Sequence, residues 1–352
     1  MRPTHWTTVS LLGFALACNP DATTAPSPGP KGSDRPNFAV LPPAVYKAQA
    51  STKYSGWFSD VNDRNLIVGV INGQGVAMVL GGSPTKLSKG AGNWAHADAV
   101  NQRGSIVGSV NMGTQQTYFP AYWARPGSPP VLLPDEGYAT DINDQGMVVG
   151  TFQLSWSPPT TEAFVWDTRT GSVSTLPHLP GGGTTYSGVA INNDNVILGI
   201  GPDYSGLIRS IIWHFNGTTW TTRQAAGDIL GFDIDGGYGI VGKTWNPSGD
   251  LASFGKPDHA GYFNTVGPSV AQGRTWTDVV TGADLGMPAP GGWTYSSTAF
   301  VADASGATTY LPFPPGLWKA SEGLALNGCG LVVGRIYNQY GQMFPALWDP
   351  GC

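Results

Sequence analysis

Charged residues are scarce in this sequence. Only 12% of its 352 residues are Asp, Glu, Lys or Arg, and 23 acidic against 18 basic residues give a formal net charge of −5. No basic stripe offsets this balance. Because binding to nucleic acid or to an anionic membrane surface depends on clustered positive charge, neither is predicted as a partner.

Motifs for catalysis and for metal binding are also missing. The four histidines beyond the N-terminal segment do not show metal-site spacing, and there is no G-x-S-x-G elbow and no phosphate loop. Three aspartates in similar contexts, Asp60, Asp141 and Asp233, lack the alternating ligands of a calcium loop, so we predict that they cap turns. The sequence predicts no catalytic residue, no metal and no cofactor.

Long apolar runs are absent, apart from one short run near the N-terminus. The run from Val9 to Ala17 is far below the ~20 residues of a membrane-spanning helix. It ends in Ala15-Leu16-Ala17-Cys18, which resembles the lipobox of bacterial lipoproteins. The resemblance implies that residues 1–18 are a signal peptide and that Cys18 carries lipid. An ordinary secretory signal is the alternative, and both predict export.

Residues 19–37 are rich in Pro, Ser, Thr and Gly and are predicted to form an extended tether. The protein is then expected in the cell envelope, anchored in the outer membrane and facing the periplasm or the surface. Its contact with the membrane would be through the N-terminal lipid alone.

Cysteine is rare, with three residues in the chain. If Cys18 carries lipid, Cys329 and Cys352 remain, and an even remainder in an exported protein favours a disulfide. Such a bridge would close a loop of about 24 residues, worth ~3 kcal/mol in the chain-entropy description. Two unrelated thiols are the alternative.

What the chain does contain is a repeat. The segment D-I-N-D-Q-G-M-V-V-G, from Asp141 to Gly150, reads as a hairpin, because Asn, Asp and Gly favour a tight turn between two apolar strands. Its copies start at Asp60, Ala99, Ala190, Asp233 and Ala325, with a degenerate copy from Val279 to Gly286. The third position of the repeat, here called the marker, falls at 62, 101, 143, 192, 235, 281 and 327, which are 39 to 49 residues apart. Such a period indicates one supersecondary unit per repeat.

Each repeat has a second half. A strand ending in Trp follows the hairpin, as in Ala163-Phe164-Val165-Trp166, and a shorter strand ending in Leu-Pro comes after it. Four short antiparallel strands per unit and seven units predict an all-β fold, a seven-bladed β-propeller formed by residues 38–352 as one domain. The last unit lacks its Leu-Pro strand, so we predict that Phe38 to Pro42 completes the last blade and closes the ring.

The pattern [AD]-[IV]-N-x-x-G-x-[IV]-V-G, followed by A-F-x-W, resembles the HAF-type extracellular repeat of exported bacterial proteins. The resemblance covers about residues 57–349. It implies a β-rich, extracytoplasmic protein, with no established reaction and no catalytic residues to transfer. Asp235 and Thr281 depart from the Asn at the marker position.

The residues five positions before each marker vary widely, which is typical of a surface that is free to specialise. They are Trp57, His96, Tyr138, Ser187, Leu230, Trp276 and Glu322. If the first strands line the central channel, these side chains surround one of its mouths. We predict that Trp57, His96, Tyr138, Trp276 and Glu322 bind a neutral or weakly polar ligand by stacking. The alternative is that the aromatic residues fill loops and the core between blades.

Three functions fit these observations. The first is a monomeric, non-catalytic binding or adhesion scaffold on the cell envelope, whose ligand is a glycan, a peptide or a protein. The second is a glycan hydrolase or lyase with catalytic carboxylates drawn from Asp98, Asp278 and Glu322. The third is a structural protein of outer-membrane assembly. Propellers serve all three, so the fold does not decide between them.

Overall fold

The computed structural model describes residues 46–113, 117–225, 229–234, 240–244, 251–255, 264–265, 269–274, 280–284, 297–302 and 308–351. Throughout these ranges the regular secondary structure is β-strand. None of them contains a helix long and apolar enough to span a bilayer.

The strands form seven antiparallel sheets of four, numbered in chain order. Sheet one contains β2 (Gly56–Val61), β3 (Leu66–Ile71), β4 (Gln74–Val79) and β5 (Thr85–Lys86). Sheet two contains β6 (Trp94–Val100), β7 (Ile106–Asn111), β8 (Tyr118–Trp123) and β9 (Val131–Leu132). Sheet three contains β10 (Gly137–Ile142), β11 (Met147–Trp156), β12 (Pro159–Asp167) and β13 (Val173–Thr175). Sheet four contains β14 (Ser187–Ile191), β15 (Val196–Pro202), β16 (Ile208–Phe215) and β17 (Trp220–Gln224).

The remaining three sheets follow the same order. Sheet five contains β18 (Ile229–Ile234), β19 (Ile240–Thr244), β20 (Leu251–Gly255) and β21 (Asn264–Thr265). Sheet six contains β22 (Ser269–Arg274), β23 (Val280–Asp284), β24 (Thr298–Ala302) and β25 (Thr308–Tyr310). Sheet seven contains β26 (Trp318–Leu326), β27 (Val332–Asn338), β28 (Met343–Asp349) and, from the other end of the chain, β1 (Lys47–Ala50).

The sheets form a closed ring. Each first strand contacts the first strand of the next sheet, and β26 of sheet seven contacts β2 of sheet one. The predicted seven-bladed β-propeller is confirmed. The first strands surround the axis, so the molecule has two faces. We call the face where the first strands begin the start face, and the face where they turn into the second strands the turn face.

The ring is closed by an N-terminal strand, as predicted, but the strand lies further along the chain. Residues Lys47–Ala50 pair with β28, whereas Phe38 to Pro42 lie outside the described residues. Along β1 the side chains alternate between exposed and half-buried, and Ala48 and Ala50 pack against the core around Trp348. Small residues suit this position because the indole of Trp348 already fills the space beneath the strand.

The marker asparagines explain why each first hairpin forms. The side-chain oxygen of Asn101 accepts hydrogen bonds from the backbone N–H groups of Arg103 and Ser105, which holds the turn. Three positions after the marker the chain needs a positive φ, which Gly104 supplies at 84° and Asn65 at 57°. The repeat therefore specifies its turn by one amide side chain and one left-handed residue.

The same asparagines also join neighbouring sheets. The side-chain N–H of each donates to the backbone carbonyl of the marker in the next sheet, at 2.9 to 3.1 Å. The pairs are Asn327 to Asn62, Asn62 to Asn101, Asn101 to Asn143, and Asn143 to Asn192. Beside this asparagine chain, the backbone N–H groups of Gly328, Asp63, Gln102 and Asp144 donate to side chains of Asp63, Gln102, Asp144 and Asn193. The turn face is thus continuously hydrogen-bonded from sheet seven to sheet four.

The Trp at the end of the third strand joins the sheets at their outer side. The indole N–H groups of Trp123, Trp213 and Trp348 donate to the carbonyls of Ser88, Pro177 and Pro312 in the preceding sheet, at 2.7 to 2.8 Å. All three rings are fully buried. Trp166 packs instead edge-on against Tyr122 of the preceding sheet. These tryptophans are core residues between blades.

The aspartates at the start of alternate hairpins cap backbone groups in two sheets at once. Asp60 accepts from the N–H of Val61 in its own strand and of Val100 in the next sheet, at 2.7 and 2.8 Å. Asp141 accepts in the same way from Ile142 and Ile191. Burial raises the pKa of Asp60 and Asp141, while the backbone hydrogen bonds lower it. Besides the predicted capping within their own sheet, Asp60 and Asp141 therefore also join neighbouring blades.

The sixth hairpin does not lie where the repeat suggested. Val280–Asp284 is the second strand of sheet six, and Arg274 pairs with Val280, so the two strands are connected through residues 275–279, which lie outside the described residues. Thr281 therefore lies within a strand, where its hydroxyl donates to the carbonyl of Phe300. The sequence misled because residues 275–279, T-W-T-D-V, contain neither a marker Asn nor a Gly or Asn suited to a left-handed turn.

The asparagine chain gives a direct prediction of stability. Replacing the buried Asn101 by Ala leaves the N–H groups of Arg103 and Ser105 without their acceptor, and removes the side-chain donor that joins the carbonyl of Asn143 to sheet two. We expect Asn101→Ala to lower the free energy of unfolding by about 3 kcal/mol, measured by urea denaturation. Asn216→Ala is the matched control, because Asn216 accepts from Thr218 and Thr219 in an exposed turn but does not bridge sheets. Equal losses in the two variants would contradict the bridging role.

Candidate functional site

The structure places four of the five predicted ligand-binding residues at one register. Trp57, His96, Tyr138 and Glu322 pair with the corresponding residues of their second strands, namely Val70, Ser109, Thr151 and Arg335. All four are half-buried at the start face. The fifth residue, Trp276, follows the end of β22 and lies outside the described residues. In sheet six the position of Trp57 belongs to Val270.

Sheets one and two bring together an aromatic cluster of Trp57, Trp94, His96 and Tyr118. The ring of His96 lies 6.1 Å from Trp57, 5.8 Å from Trp94 and 5.9 Å from Tyr118, measured between centroids. Burial lowers the pKa of His96, so its ring is neutral at pH 7. The cluster is an uncharged and partly exposed surface of four rings, suited to stacking.

Two members of this cluster, Trp94 and Tyr118, were not found from the sequence. Trp94 lies two residues before His96 in an alternating strand, so it shares the face of His96, and this signal was available. Tyr118 joins them only through the register, because Trp94 pairs with Asn111 and Asn111 pairs with Tyr118. No local pattern indicates such a contact across three strands.

Asp98 lies on the same face of β6 as Trp94 and His96. Along this strand Ala95, Ala97 and Ala99 are buried, while Trp94, His96 and Asp98 are half-buried. The carboxyl lies over β7, where a Cβ at Gly108 would come within 3.0 Å of Oδ2. Asp98 makes no side-chain hydrogen bond or ion pair with any part of the chain that the structure describes. Burial raises its pKa to about 7.

Tyr138 lies beside Asp98 in the neighbouring sheet. Burial raises the pKa of Tyr138, the hydroxyls of Thr151 and Ser187 oppose this rise, and the charge of Asp98 adds to it. Thr151 is fully buried, whereas Tyr138 and Ser187 are half-buried, so sheets two to four present a carboxyl and two hydroxyl groups next to the aromatic cluster. Such a surface can stack on a ring and hydrogen-bond to polar substituents.

Glu322 occupies a different environment in sheet seven. One carboxylate oxygen lies 2.5 Å from Nε of Arg335 and 3.5 Å from the hydroxyl of Tyr337. Burial, followed by the charge of Glu322, raises the pKa of Tyr337 to about 12. Of the three acidic candidates for catalysis, Glu322 is thus ion-paired, Asp98 is unpaired, and Asp278 lies outside the described residues.

Two hairpins carry exposed apolar side chains on the start face. Leu154 and Trp156 lie near the tip between β11 and β12, and Tyr204 and Leu207 lie between β15 and β16, each more than half exposed. These second-to-third strand hairpins open on the start face because the first hairpins close on the turn face. The sequence did not reveal them, since loop residues of this kind follow no periodicity.

Other predicted residues receive no structural test. Cys18, the tether at 19–37 and Cys352 lie outside the described residues. Cys329 lies in the turn between β26 and β27, and its Sγ is 3.1 Å from the side-chain oxygen of Asn327. Its disulfide with Cys352 stays a prediction. No group of three or more His, Cys, Asp or Glu suited to a metal ion occurs within the described ranges.

Comparison with known proteins gives similarity in fold alone. No family model matches the chain, and neither does any curated protein. Oligogalacturonate lyase from Vibrio parahaemolyticus superposes with a TM-score of 0.52 at 12% identity, over 87% of this chain and 97% of its own. Acylaminoacyl peptidase from Pyrococcus horikoshii gives 0.53 at 12% identity, over 84% and 51%. TolB from Acinetobacter baumannii gives 0.44 at 12% identity, over 70% and 64%. The chain thus spans less than two thirds of this TolB and about half of the peptidase.

The raised pKa of Asp98 gives a prediction about pH. Because folding raises this pKa, the proton-linked stabilisation is fully present below the unfolded pKa near 4. It is lost as the pH rises through about 7. Asp98→Asn removes the carboxyl that becomes costly when it ionises. We therefore expect the change in the free energy of unfolding caused by this substitution to be about 2 kcal/mol more favourable at pH 8.5 than at pH 5.

Urea unfolding of both proteins at the two pH values measures this difference. The control is Asp194→Asn, which removes an exposed carboxylate in the turn of sheet four, and its effect at each pH is subtracted from that of Asp98→Asn. A pH-independent effect of Asp98→Asn would show that Asp98 ionises in the folded protein as it does in the unfolded chain.

Proposed function

We propose that this protein is an exported, lipid-anchored and non-catalytic scaffold, and that it binds a glycan or a peptide at the start face of its propeller. The observation that carries the proposal is the aromatic cluster of Trp57, Trp94, His96 and Tyr118, which is half-buried and lies beside Asp98 and Tyr138. Rings that are partly exposed around a polar group are typical of sites that bind sugars and peptides by stacking.

The rings of the aromatic cluster are less buried than the tryptophans that join the blades, although Trp57 also packs against the core of sheets one and seven. Those tryptophans are the fully buried Trp123, Trp213 and Trp348, whose indoles donate to the preceding sheet. At the register of Trp57, the other sheets carry residues as different as Ser187, Leu230 and Glu322. A position that accepts such variety is free to be chosen for binding.

A glycan hydrolase or lyase is less well supported. Hydrolysis of this kind generally requires two carboxyl groups in distinct protonation states around the scissile bond. Asp98 has the raised pKa of a general acid, but Glu322 is held by Arg335. An assembly role is favoured by one observation, the exposed Leu154, Trp156, Tyr204 and Leu207, which suit contact with another protein.

Binding at the aromatic cluster predicts a separation of affinity from stability. After a glycan and peptide array has provided a ligand, Trp57→Ala should weaken its binding about fivefold, because one stacking partner is lost. The melting temperature should fall only slightly, since Trp57 is half-buried. Calorimetric titration and thermal melts measure the two effects.

Trp123→Ala is the control for this variant. Its ring is fully buried between sheets, so we expect a loss of about 3 kcal/mol or more in stability. If Trp57→Ala loses as much stability as Trp123→Ala, the ring of Trp57 is core and the binding proposal fails at this residue.

The proposed location depends on the N-terminal segment and on the HAF-type resemblance. We expect metabolic labelling with an alkyne fatty acid to mark the wild type and not Cys18→Ser, because the thiol of Cys18 is the attachment point. Cys329→Ser is the control and should keep the label. Label that persists on Cys18→Ser would end the lipoprotein proposal and leave the binding proposal untouched.

A further inference from the structure

Asp98 differs from the other carboxylates of the described core. Asp60 and Asp141 each accept two backbone hydrogen bonds, Glu322 is paired with Arg335, and Asp203 binds Ser205 and Arg209. Asp98 is half-buried and has no such partner within the described ranges. A carboxylate that is withdrawn from water without a partner is costly to the folded protein, which indicates that it is kept for an external one.

Comparison along the ring shows that Asp98 does not do what its equivalents do. The same bulge position is Ser59 in sheet one and Thr140 in sheet three. Their hydroxyls donate to carbonyls of the next sheet, those of Ala97 and Gly188, at 2.9 and 3.1 Å. Asp98 makes no such bridge within the described ranges, so at this position an unpaired carboxyl group, which accepts hydrogen bonds when ionised, replaces the bridging hydroxyl.

The neighbours of Asp98 define what that acceptor can recognise. Trp94 and His96 lie on the same face of the strand, and Trp57 lies against His96 from sheet one. Tyr138, from sheet three, adds a hydroxyl. A carboxylate beside aromatic rings binds a protonated amine, because the ammonium donates to the carboxylate and its adjoining C–H groups contact the rings.

We propose that Asp98 is the specificity-determining residue of the start face and that it selects ligands carrying a protonated primary amine on a sugar ring. This inference rests on the proposed function and names the ligand class of the same site. The amino sugar is favoured over a lysine side chain because the surface combines stacking rings with the half-buried hydroxyls of Tyr138 and Ser187. Those hydroxyls match the ring face and the hydroxyl groups of a pyranose better than a flexible alkyl chain.

The experiment uses a matched pair of probes, the hexamer of glucosamine and the hexamer of N-acetylglucosamine. They share their skeleton and length, and differ in that acetylation removes the charged amine. Calorimetric titration of the folded chain should give at least about tenfold tighter binding of the glucosamine hexamer, as expected for a charge-assisted hydrogen bond. A peptide carrying lysine serves as the second source of the same group and should bind more weakly than the glucosamine hexamer.

Two variants test the role of Asp98. Asp98→Ser installs the residue of sheet one and should keep the fold, and Asp98→Asn keeps the size of the side chain without its charge. Both should remove the preference for the glucosamine hexamer and leave the binding of its acetylated counterpart nearly unchanged. Asp194→Asn, an exposed carboxylate far along the chain, should keep the preference.

The outcomes separate this inference from the function on which it rests. If both hexamers bind equally and Asp98→Ser changes neither, the amine inference is overturned while sugar binding stands. A lysine peptide that binds more tightly than the glucosamine hexamer would overturn the choice of sugar. If neither hexamer nor the peptide binds while a ligand from the array does, the amine inference is overturned and the proposed function stands. If no array ligand binds, or if Trp57→Ala changes no affinity, the proposed function itself fails.

Discussion

The ring depends on the side-chain hydrogen bonds of the marker asparagines. One side chain closes its own turn through its oxygen and reaches the next sheet through its nitrogen, so a single residue satisfies backbone groups in two blades. Buried backbone groups at a tight turn must find partners, and an amide is the side chain that can accept and donate at once. This dual demand explains why Asn recurs where Asp or Ser would satisfy the turn alone.

Two groups of tryptophans differ in burial, a buried group between the blades and a half-buried group at the start face, and the spacing of the sheets explains the difference. Near the axis the strands are close together, and short polar bridges from Asn, Asp, Ser and Thr join them. Toward the outside the sheets diverge, and the gap is wide enough for an indole that fills volume and still reaches a carbonyl. Trp57 and Trp94 belong to the half-buried group, since their rings lie at the edge of the start face and remain partly exposed.

The repeat made most of the fold predictable. Because hairpin, Trp strand and Leu-Pro strand recur in order, the number of sheets and their strand count could be read from spacing alone. Prediction failed where a local signal was absent. Sheet six has no marker Asn, so its hairpin was misplaced by several residues, and the closing strand Lys47–Ala50 carries small residues with little pattern. The site was predictable only in part, since Trp57, His96, Tyr138 and Glu322 share a repeat position, whereas Tyr118 and the isolation of Asp98 depend on contacts across strands and blades.

The direction of β1 has a consequence for how the disc is held. Lys47 pairs with Asp349, and the hydroxyl of Tyr46 lies near Gly330 in the last hairpin turn, so the chain enters the propeller from the turn face. Any tension applied through the N-terminal segment therefore acts on the turn face, where the asparagine chain joins the sheets. The aromatic cluster and Asp98 lie toward the opposite face, the start face. Attachment to a support through that end would leave the start face accessible to a ligand in solution.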